Sequence, residues 1–453
     1  MSGLFESLSS ASAALNTQRL GLDVAGQNIA NINTPGYARR MLQLAELPPN
    51  DLMSAGRGVT VVAIRALRDQ LVDTRLRREQ GGAAYDSAMA EMLGSVEGIV
   101  GLPGSSLDAQ LTAFFDSFST LANDPGSMVA RDNVVNRGRQ LAQAFREMTS
   151  RLGGVQADAD SAMRSGIDEV NRLTAEMAAL NVDIATSSYD TDSIRDRQSV
   201  IASRLGELLD VTVLARQDGG MDVTLASGRA LVIGENSYSL QASPNGLATV
   251  TLEGTNVTAE LNGGRIGGLR QVRDVTIPGH IGQLDQLAYD VATAINATHA
   301  TGFDLSGAAG GDFFTALSGA GGAASLLAVD PAIVADSALL AASSTGAAGD
   351  NGTARQLAAL RDASIAFSGT RTAYDAFSQF AYNVGTDVAS ARASADGHDQ
   401  VVKQLQTLQA QTSGVSYDEE AAQLMRYQRA YEANARYFTT VNDALDVLME
   451  MMK

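Results

Sequence analysis

The chain has 453 residues, of which 45% are hydrophobic and 19% charged, enough for two to four domains around a substantial core and too apolar for disorder. A net charge of −18 argues against nucleic acid as a partner, since that contact needs clustered Lys and Arg. The absence of Cys excludes disulfides, thiolate catalysis and iron–sulfur ligation. The charge is uneven: residues 1–50 are neutral and residues 402–453 carry −2, which leaves −16 for residues 51–401. Nearly neutral ends can pack on copies of themselves while an acidic middle stays solvated.

Residues 4–32 place Leu4, Leu8, Ala11, Leu15, Leu22, Ala25, Ile29 and Ile32 on a 4-3 spacing, with Gln18 in the gap. This is the stripe of a helix that docks on another helix. Thr34-Pro35-Gly36 stops it, because the residue before Pro disfavours the helical region and Gly permits a sharp turn. Residues 37–62 read as irregular, with Pro48-Pro49 in a loop and Gly56–Val61 as loop and short strand, and the helical pattern returns near Ile64. Further 4-3 series follow at Tyr85–Ile99, Leu107–Leu121, Leu141–Val155, Met163–Met177 and Ile194–Leu208.

At Asp210 the period changes to two. β-Branched alternation surrounds an Asp218-Gly219-Gly220 turn, and Pro244-Asn245-Gly246 turns into a further strand. Helix resumes with Ile281, Leu284, Ala288, Val291 and Ile295 on one face, residues 305–352 are rich in Gly, Ala and Ser, and Tyr374 to Leu405 hold a 3-4 rhythm. Beyond Gly414, Ser416 and Glu419 have capping-box spacing, with Asp418, Glu419 and Glu420 suited to the helix dipole. The last helix carries Leu424, Gln428, Tyr431, Ala435, Phe438, Asn442, Leu445, Met449 and Met452.

These patterns predict a mainly α chain with a β-rich insertion, divided into three parts. Residues 1–49 with 405–453 form a discontinuous coiled-coil assembly domain. Residues 50–208 with 264–304 and 353–404 form a long-helix bundle, and residues 209–263 with 305–352 form a small β-rich, loop-rich outer domain. The terminal helices are marginal alone in water, so they pair with each other and with other subunits. The expected assembly interface is Leu4, Leu8, Leu15, Leu22, Ile29, Ile32, Leu424, Tyr431, Phe438 and Leu445, with Asn16, Asn28, Asn31, Asn33, Gln428, Asn434 and Asn442 as register-setting amides.

No chemistry stands out. His280, His299 and His398 have no spaced metal partners, Asp304–Asp312 lacks the odd-numbered ligands and closing Glu of a calcium loop, and the Gly-rich stretches lack P-loop or dinucleotide context. No catalytic residue, metal or cofactor is expected. There is no basic leader ahead of an apolar segment and no run long enough to span a membrane, so no membrane partner is expected either.

The stretch "ANINTPGYARR", residues 30–40, resembles the N-terminal signature of flagellar rod, hook and hook-associated proteins, carried by Ala30, Asn31, Asn33, Thr34, Pro35, Gly36 and Tyr37. Residues 56–77 and 414–449 are similar to further segments of those proteins. Residues 194–232, 263–274 and 295–314 resemble the hook-associated protein 1 family, that of the hook–filament junction. The resemblance implies a structural, non-enzymatic subunit of the extracellular flagellum, exported by the flagellar type III system without a cleaved signal peptide. Its implied partners are hook protein, hook-associated protein 3 on the filament side, copies of itself in a ring, and a cytoplasmic export chaperone. The chaperone would hold the last helix at Leu424, Tyr427, Tyr431 and Phe438, a helix-in-groove contact. A hook or distal-rod subunit is the alternative reading of the terminal motifs.

Overall fold

The computed structural model describes residues 2–47, 58–101, 107–187 and 191–451. The expected Pro48-Pro49 loop, the Gly56-Arg57 start of the next strand and the final stripe residue Met452 lie outside these residues. In chain order, helix α1 (Ser2–Ala30) is followed by the antiparallel ribbon β1 (Arg40–Glu46) and β2 (Val59–Ala66). Next come α2 (Gln70–Val100), α3 (Leu107–Asn123), α4 (Met128–Thr186) and α5 (Thr191–Leu208). Strands β3 (Val211–Ala215), β4 (Met221–Leu225), β5 (Ala230–Ile233) and β6 (Asn236–Ser237) pair in sequence order as one antiparallel sheet. Strands β7 (Leu240–Ala242), β8 (Val250–Leu252) and β9 (Thr255–Asn256) form another. Helix α6 (Gly264–Gln271) runs through a π turn at Val272–Thr276 into α7 (Ile277–His299). The short α8 (Ala323–Leu326), α9 (Pro331–Ala335) and α10 (Gly352–Ala359) precede the long α11 (Ala373–Ser413) and α12 (Tyr417–Met451). Among the described residues no helix is long and apolar enough to cross a membrane.

The chain forms two compact units. The first comprises residues 1–80, 171–239 and 398–453, and the second residues 81–170 and 240–397. The β-rich stretch is shared out, β3–β6 going to the first unit and β7–β9 to the second.

In the first unit α1 packs along α12, so the two ends of the chain meet as their patterns predict. The stretch read as irregular contains β1, and β2 continues to Ala66, so helix begins at Gln70 rather than near Ile64. The ribbon hides from a reading of alternation because Met41, Leu44, Val62 and Ile64 stand exposed. The sheet β3–β6 is held by Asn181 of α4. Its amide donates to the carbonyls of Met221 (2.9 Å) and Gly234 (2.6 Å), and its oxygen accepts from Met221 N and Gln198 Nε2, both at 2.8 Å. His398 bonds through Nδ1 to Glu79 Oε2 at 2.9 Å.

The second unit has an aromatic core. The α3 series Leu107, Leu111, Phe114, Phe118 and Leu121 is buried, as is the α4 series Leu141, Phe145, Met148, Leu152 and Val155. The Phe114 ring lies 5.2–5.7 Å from those of Phe118, Phe313 and Phe314. The last two come from the Gly/Ala-rich stretch whose fold composition left open. That stretch is pinned by buried polar hubs. Arg131 donates from Nε to Pro125 O at 2.9 Å and from Nη1 to Leu340 O at 2.5 Å. His299 accepts from Ala341 N at Nε2 (2.8 Å) and donates from Nδ1 to Gly311 O (2.7 Å), and burial lowers its pKa, keeping the ring neutral. Asp304 closes a turn on itself, its Oδ1 accepting from Ser306 N and Ala308 N at 2.8 and 2.9 Å.

A buried ion pair ties helix to sheet within this unit. Asp160 Oδ1 accepts from Arg273 Nη1 at 2.5 Å and Ala248 N at 2.7 Å, and Oδ2 from Arg164 Nε at 2.8 Å. Burial alone would raise this carboxyl, but the Ala248 amide and the two guanidiniums outweigh it and hold the pKa below the ordinary value. A lowered folded-state pKa gives stability that is complete above the unfolded value and is lost as pH falls through the folded one. Asp160→Asn is therefore expected to cost about 3 kcal/mol at pH 7. Denaturant titrations should show the gap from wild type narrowing below about pH 4. A gap unchanged by pH would remove the charge from the account.

Candidate functional site

The sharp stop after α1 builds a corner within the first unit. The helix ends at Ala30, where Asn31 turns its side chain back to donate to Gln27 O at 2.9 Å. Thr34 Oγ1 then donates to Asn31 Oδ1 at 3.1 Å, and Tyr37 N to Thr34 O at 3.2 Å. Pro35 and Gly36 occupy the centre of this last turn, with Gly36 at φ +76°, the residue pattern of a type II turn. Gly36 is needed twice over, because a Cβ there would lie 2.3 Å from Val200 Cγ2. Ala30, Asn33, Thr34, Pro35 and Gly36 are exposed, and Asn31 and Tyr37 half-buried.

Asn28, 1% exposed, sits inside the corner. Its Oδ1 accepts from Tyr37 Oη (2.8 Å) and Arg40 N (3.0 Å), while Nδ2 donates to Arg40 O (2.9 Å) and Glu420 Oε2 (3.0 Å). All four of its hydrogen-bonding capacities are used. Tyr37 therefore anchors the corner, and the Arg40 guanidinium lies over its ring, 5.2 Å from the centroid. Glu420, 3% exposed in the first turn of α12, also accepts from Arg39 Nε at 2.7 Å, and Arg39 N donates to Ser413 O at 3.0 Å. Glu419, expected to complete a capping box with Ser416, accepts from Arg39 Nη1 at 2.8 Å instead. Cross-chain pairing outcompetes the local cap because Arg39 brings a full charge.

A second charged node closes the other side. Asp196 of α5 accepts from Arg68 Nη2 at 2.5 Å and pairs with Arg40 Nη2 at 3.5 Å, and Arg68 also donates to Gly36 O at 2.8 Å. Burial pushes the Asp196 carboxyl up, against the pull of the Arg68 hydrogen bond and the Arg68 and Arg40 charges. Sequence patterning singles out Asn28 and the Arg39-Arg40 end of the motif. It gives no signal for Arg68 or Asp196, whose roles depend on α5 folding back beneath the corner.

The predicted interface leucines take a flanking position. On α1 the buried residues are Ala11, Thr17, Gly21, Val24, Ala25 and Asn28, whereas Leu4, Leu8, Leu15, Leu22 and Ile29 are half-buried and Ile32 is exposed. On α12, Glu420 and Val441 are buried, Leu424, Tyr427, Phe438 and Leu445 half-buried, and Tyr431 is 39% exposed. Small α1 residues let the helices approach: a Cβ on Gly21 would lie 2.6 Å from the Tyr427 ring. The arrangement clamps backbone to backbone and holds no nucleophile–base pair. Among the described residues no cluster of three or more His, Cys, Asp or Glu could hold a metal.

The family model described as flagellar hook-associated protein FlgK helical domain matches residues 93–314. Models for the flagellar basal body rod FlgEFG protein C-terminal and the flagella basal body rod protein match residues 410–451 and 8–37. The chain is 26% identical to flagellar hook-associated protein 1 of Bacillus subtilis (strain 168), covering 100% of this chain and 99% of that one. It is 24% identical to flagellar hook-associated protein 1 of Escherichia coli (strain K12), covering 98% and 99%. The solved structure of the flagellar hook junction protein FlgK from Burkholderia pseudomallei superposes with a TM-score of 0.67 at 17% identity, over 75% of this chain and 100% of that one, which establishes likeness of fold.

Two substitutions test the corner. Asn28→Ala removes one hydrogen bond each from Glu420 Oε2, Tyr37 Oη, the Arg40 amide and the Arg40 carbonyl, and is expected to cost about 2–4 kcal/mol in denaturant unfolding. A change under about 0.5 kcal/mol, the range of ordinary surface substitutions, would mean that the hub is dispensable. Gly36→Val adds backbone strain and a clash with Val200. It should open the corner to limited proteolysis near residues 31–39, and protease resistance equal to wild type would argue against the strain.

Proposed function

The chain belongs to the flagellar hook-associated protein 1 family, and from that premise we propose that it assembles on the hook tip through its paired terminal helices. It is a structural protein of the flagellum, at the hook–filament junction, and not an enzyme. The observation that carries the assembly reading is the incomplete burial of the α1 and α12 stripes. Leu4, Leu8, Leu15, Leu22 and Ile29 are each only partly covered although α1 and α12 pack along each other. Subunits arranged around an axis would cover the remainder, with Ile32 and Tyr431 at the margin.

In this reading the copies form a ring, hook protein lies beneath it and hook-associated protein 3 follows on the filament side. The chain leaves the cell through the flagellar type III system. Before export a cytoplasmic chaperone takes the face of α12 bearing Leu424, Tyr427, Tyr431 and Phe438, of which Tyr427 lies against Gly21 of α1 in the folded chain. Helix-in-groove recognition suits an amphipathic segment separated from its partner helix. The family motif from Ala30 to Tyr37 supplies the turn that carries the chain away from α1.

Deletion of the gene, followed by electron microscopy and assay of the medium, tests this placement. Hooks of normal appearance without filaments, together with flagellin shed into the medium, are the expected outcome. Loss of the hook itself would move the protein to the rod or hook, and intact filaments would overturn the axial role.

A further inference from the structure

We propose that Asn245 is a site of spontaneous covalent modification, its side chain closing on the Gly246 amide to a succinimide that opens to aspartate and isoaspartate. The chain has three Asn-Gly pairs, Asn245-Gly246, Asn262-Gly263 and Asn351-Gly352. In an unfolded chain the three are chemically close, because each asparagine precedes a residue with no side chain to hinder ring closure. The fold makes them unequal.

The chemistry sets what the site must offer. The glycine backbone nitrogen loses its proton to solvent and attacks the asparagine Cγ, and the side-chain nitrogen takes up a proton and leaves as ammonia. Water then adds to one of the two ring carbonyls and the C–N bond there breaks. Opening on one side gives aspartate, and opening on the other routes the backbone through the side chain as isoaspartate. Water is the only co-reactant, and nothing is oxidised or reduced. Ring closure therefore needs a glycine amide without a hydrogen-bond partner, a carboxamide able to rotate, and room for the ring.

Asn245 meets all three needs. With Gly246 it lies in the exposed connection between β7 and β8. Among the described residues neither its carboxamide nor the Gly246 amide has a hydrogen-bond partner. Gly246 has φ +65°, and nothing lies within 4 Å of the place a Cβ would take.

The other two pairs are held. Asn351 is half-buried and donates from Nδ2 to Ala122 O at 2.6 Å, and the Gly352 amide donates to Asp350 Oδ1 at 3.1 Å. Asn262 is exposed like Asn245, so exposure alone does not separate them. Its Oδ1 accepts from Arg270 Nη2 at 2.7 Å, which fixes the carboxamide. The peptide that would have to turn packs against Gly267, where a Cβ would lie 2.7 Å from the Asn262 carbonyl carbon.

Conversion would strike a connection that the second unit uses. Arg164, paired with Asp160, donates to Ser243 O and, at 2.8 Å, to Gly246 O. Isoaspartate adds a methylene to the backbone between those two carbonyls, changing the span that one guanidinium bridges.

The test incubates the purified full-length chain in mildly alkaline buffer, folded and in denaturant. Peptide mapping by mass spectrometry follows each asparagine, and an isoaspartyl methyltransferase labels the rearranged product. In the folded chain Asn245 is expected to convert at least about tenfold faster than Asn262 or Asn351, roughly 1.4 kcal/mol in activation free energy. In denaturant the three rates should come within about twofold of one another. Asn245→Ser should abolish the fast methyltransferase label while leaving the slow sites as they were. Equal rates in the folded chain, or an Asn245 that stays intact, overturns the proposal. Aspartate formed without isoaspartate overturns the ring closure, and the same order of rates in denaturant overturns the role of the fold.

Discussion

The first unit depends on a buried contact between residues 392 positions apart, the hydrogen bond from Asn28 Nδ2 to Glu420 Oε2. A carboxylate and a primary amide taken out of water are costly unless their capacities are met. Here they are met by the corner itself: Tyr37, Arg39 and Arg40 arrive at the right places only because the chain has left α1 and turned. The turn and the helix pairing therefore require each other. An α1 that ran on past Ala30 would leave Glu420 buried without Asn28's neighbours, and an unpaired α12 would leave Asn28 with an unused donor.

The same device recurs. Asn181 holds the β3–β6 sheet against α5, and Asn296 accepts from the amides of Phe313 and Phe314 and donates to Phe314 O, fixing the aromatic core. In each case one carboxamide matches backbone groups that no regular ladder satisfies. This suits a chain with no Trp and no Cys, in which the buried face of α1 is made mostly of small side chains. Packing by Gly21, Val24 and Ala25 permits close approach but specifies register weakly, because one small residue resembles another. The saturated asparagines supply the register, since a shift by one turn would orphan several buried groups at once.

How much of this was legible in the sequence follows from what each element packs against. The 4-3 series of α3, α4, α7 and α11 could be read because large apolar residues are buried on one face and polar ones exposed on the other. On α1 the large residues are flanking and the buried ones small, so the face packed on α12 is rotated from the leucine stripe. Strand β1 escaped because its alternation is broken by exposed Met41 and Leu44, its partner being a single strand. Arg68 and Asp196 carry no local signature; their pairing exists only once α5 lies under Gly36. The corner motif was visible from its turn chemistry, whereas the charges that lock it were not.

Both units are closed by contacts between segments far apart in the chain. Long-range contacts are costly in chain entropy and form after local ones. The α1–α12 pairing joins the two extremes of the chain, and the aromatic core of the second unit joins Phe114 of α3 to Phe313 and Phe314 across about 200 residues. Helices whose stripes are only partly covered in one copy gain most from a neighbour that covers the rest. In the assembly proposed above, ordering and incorporation become one step, driven by the apolar area that a single chain leaves in water.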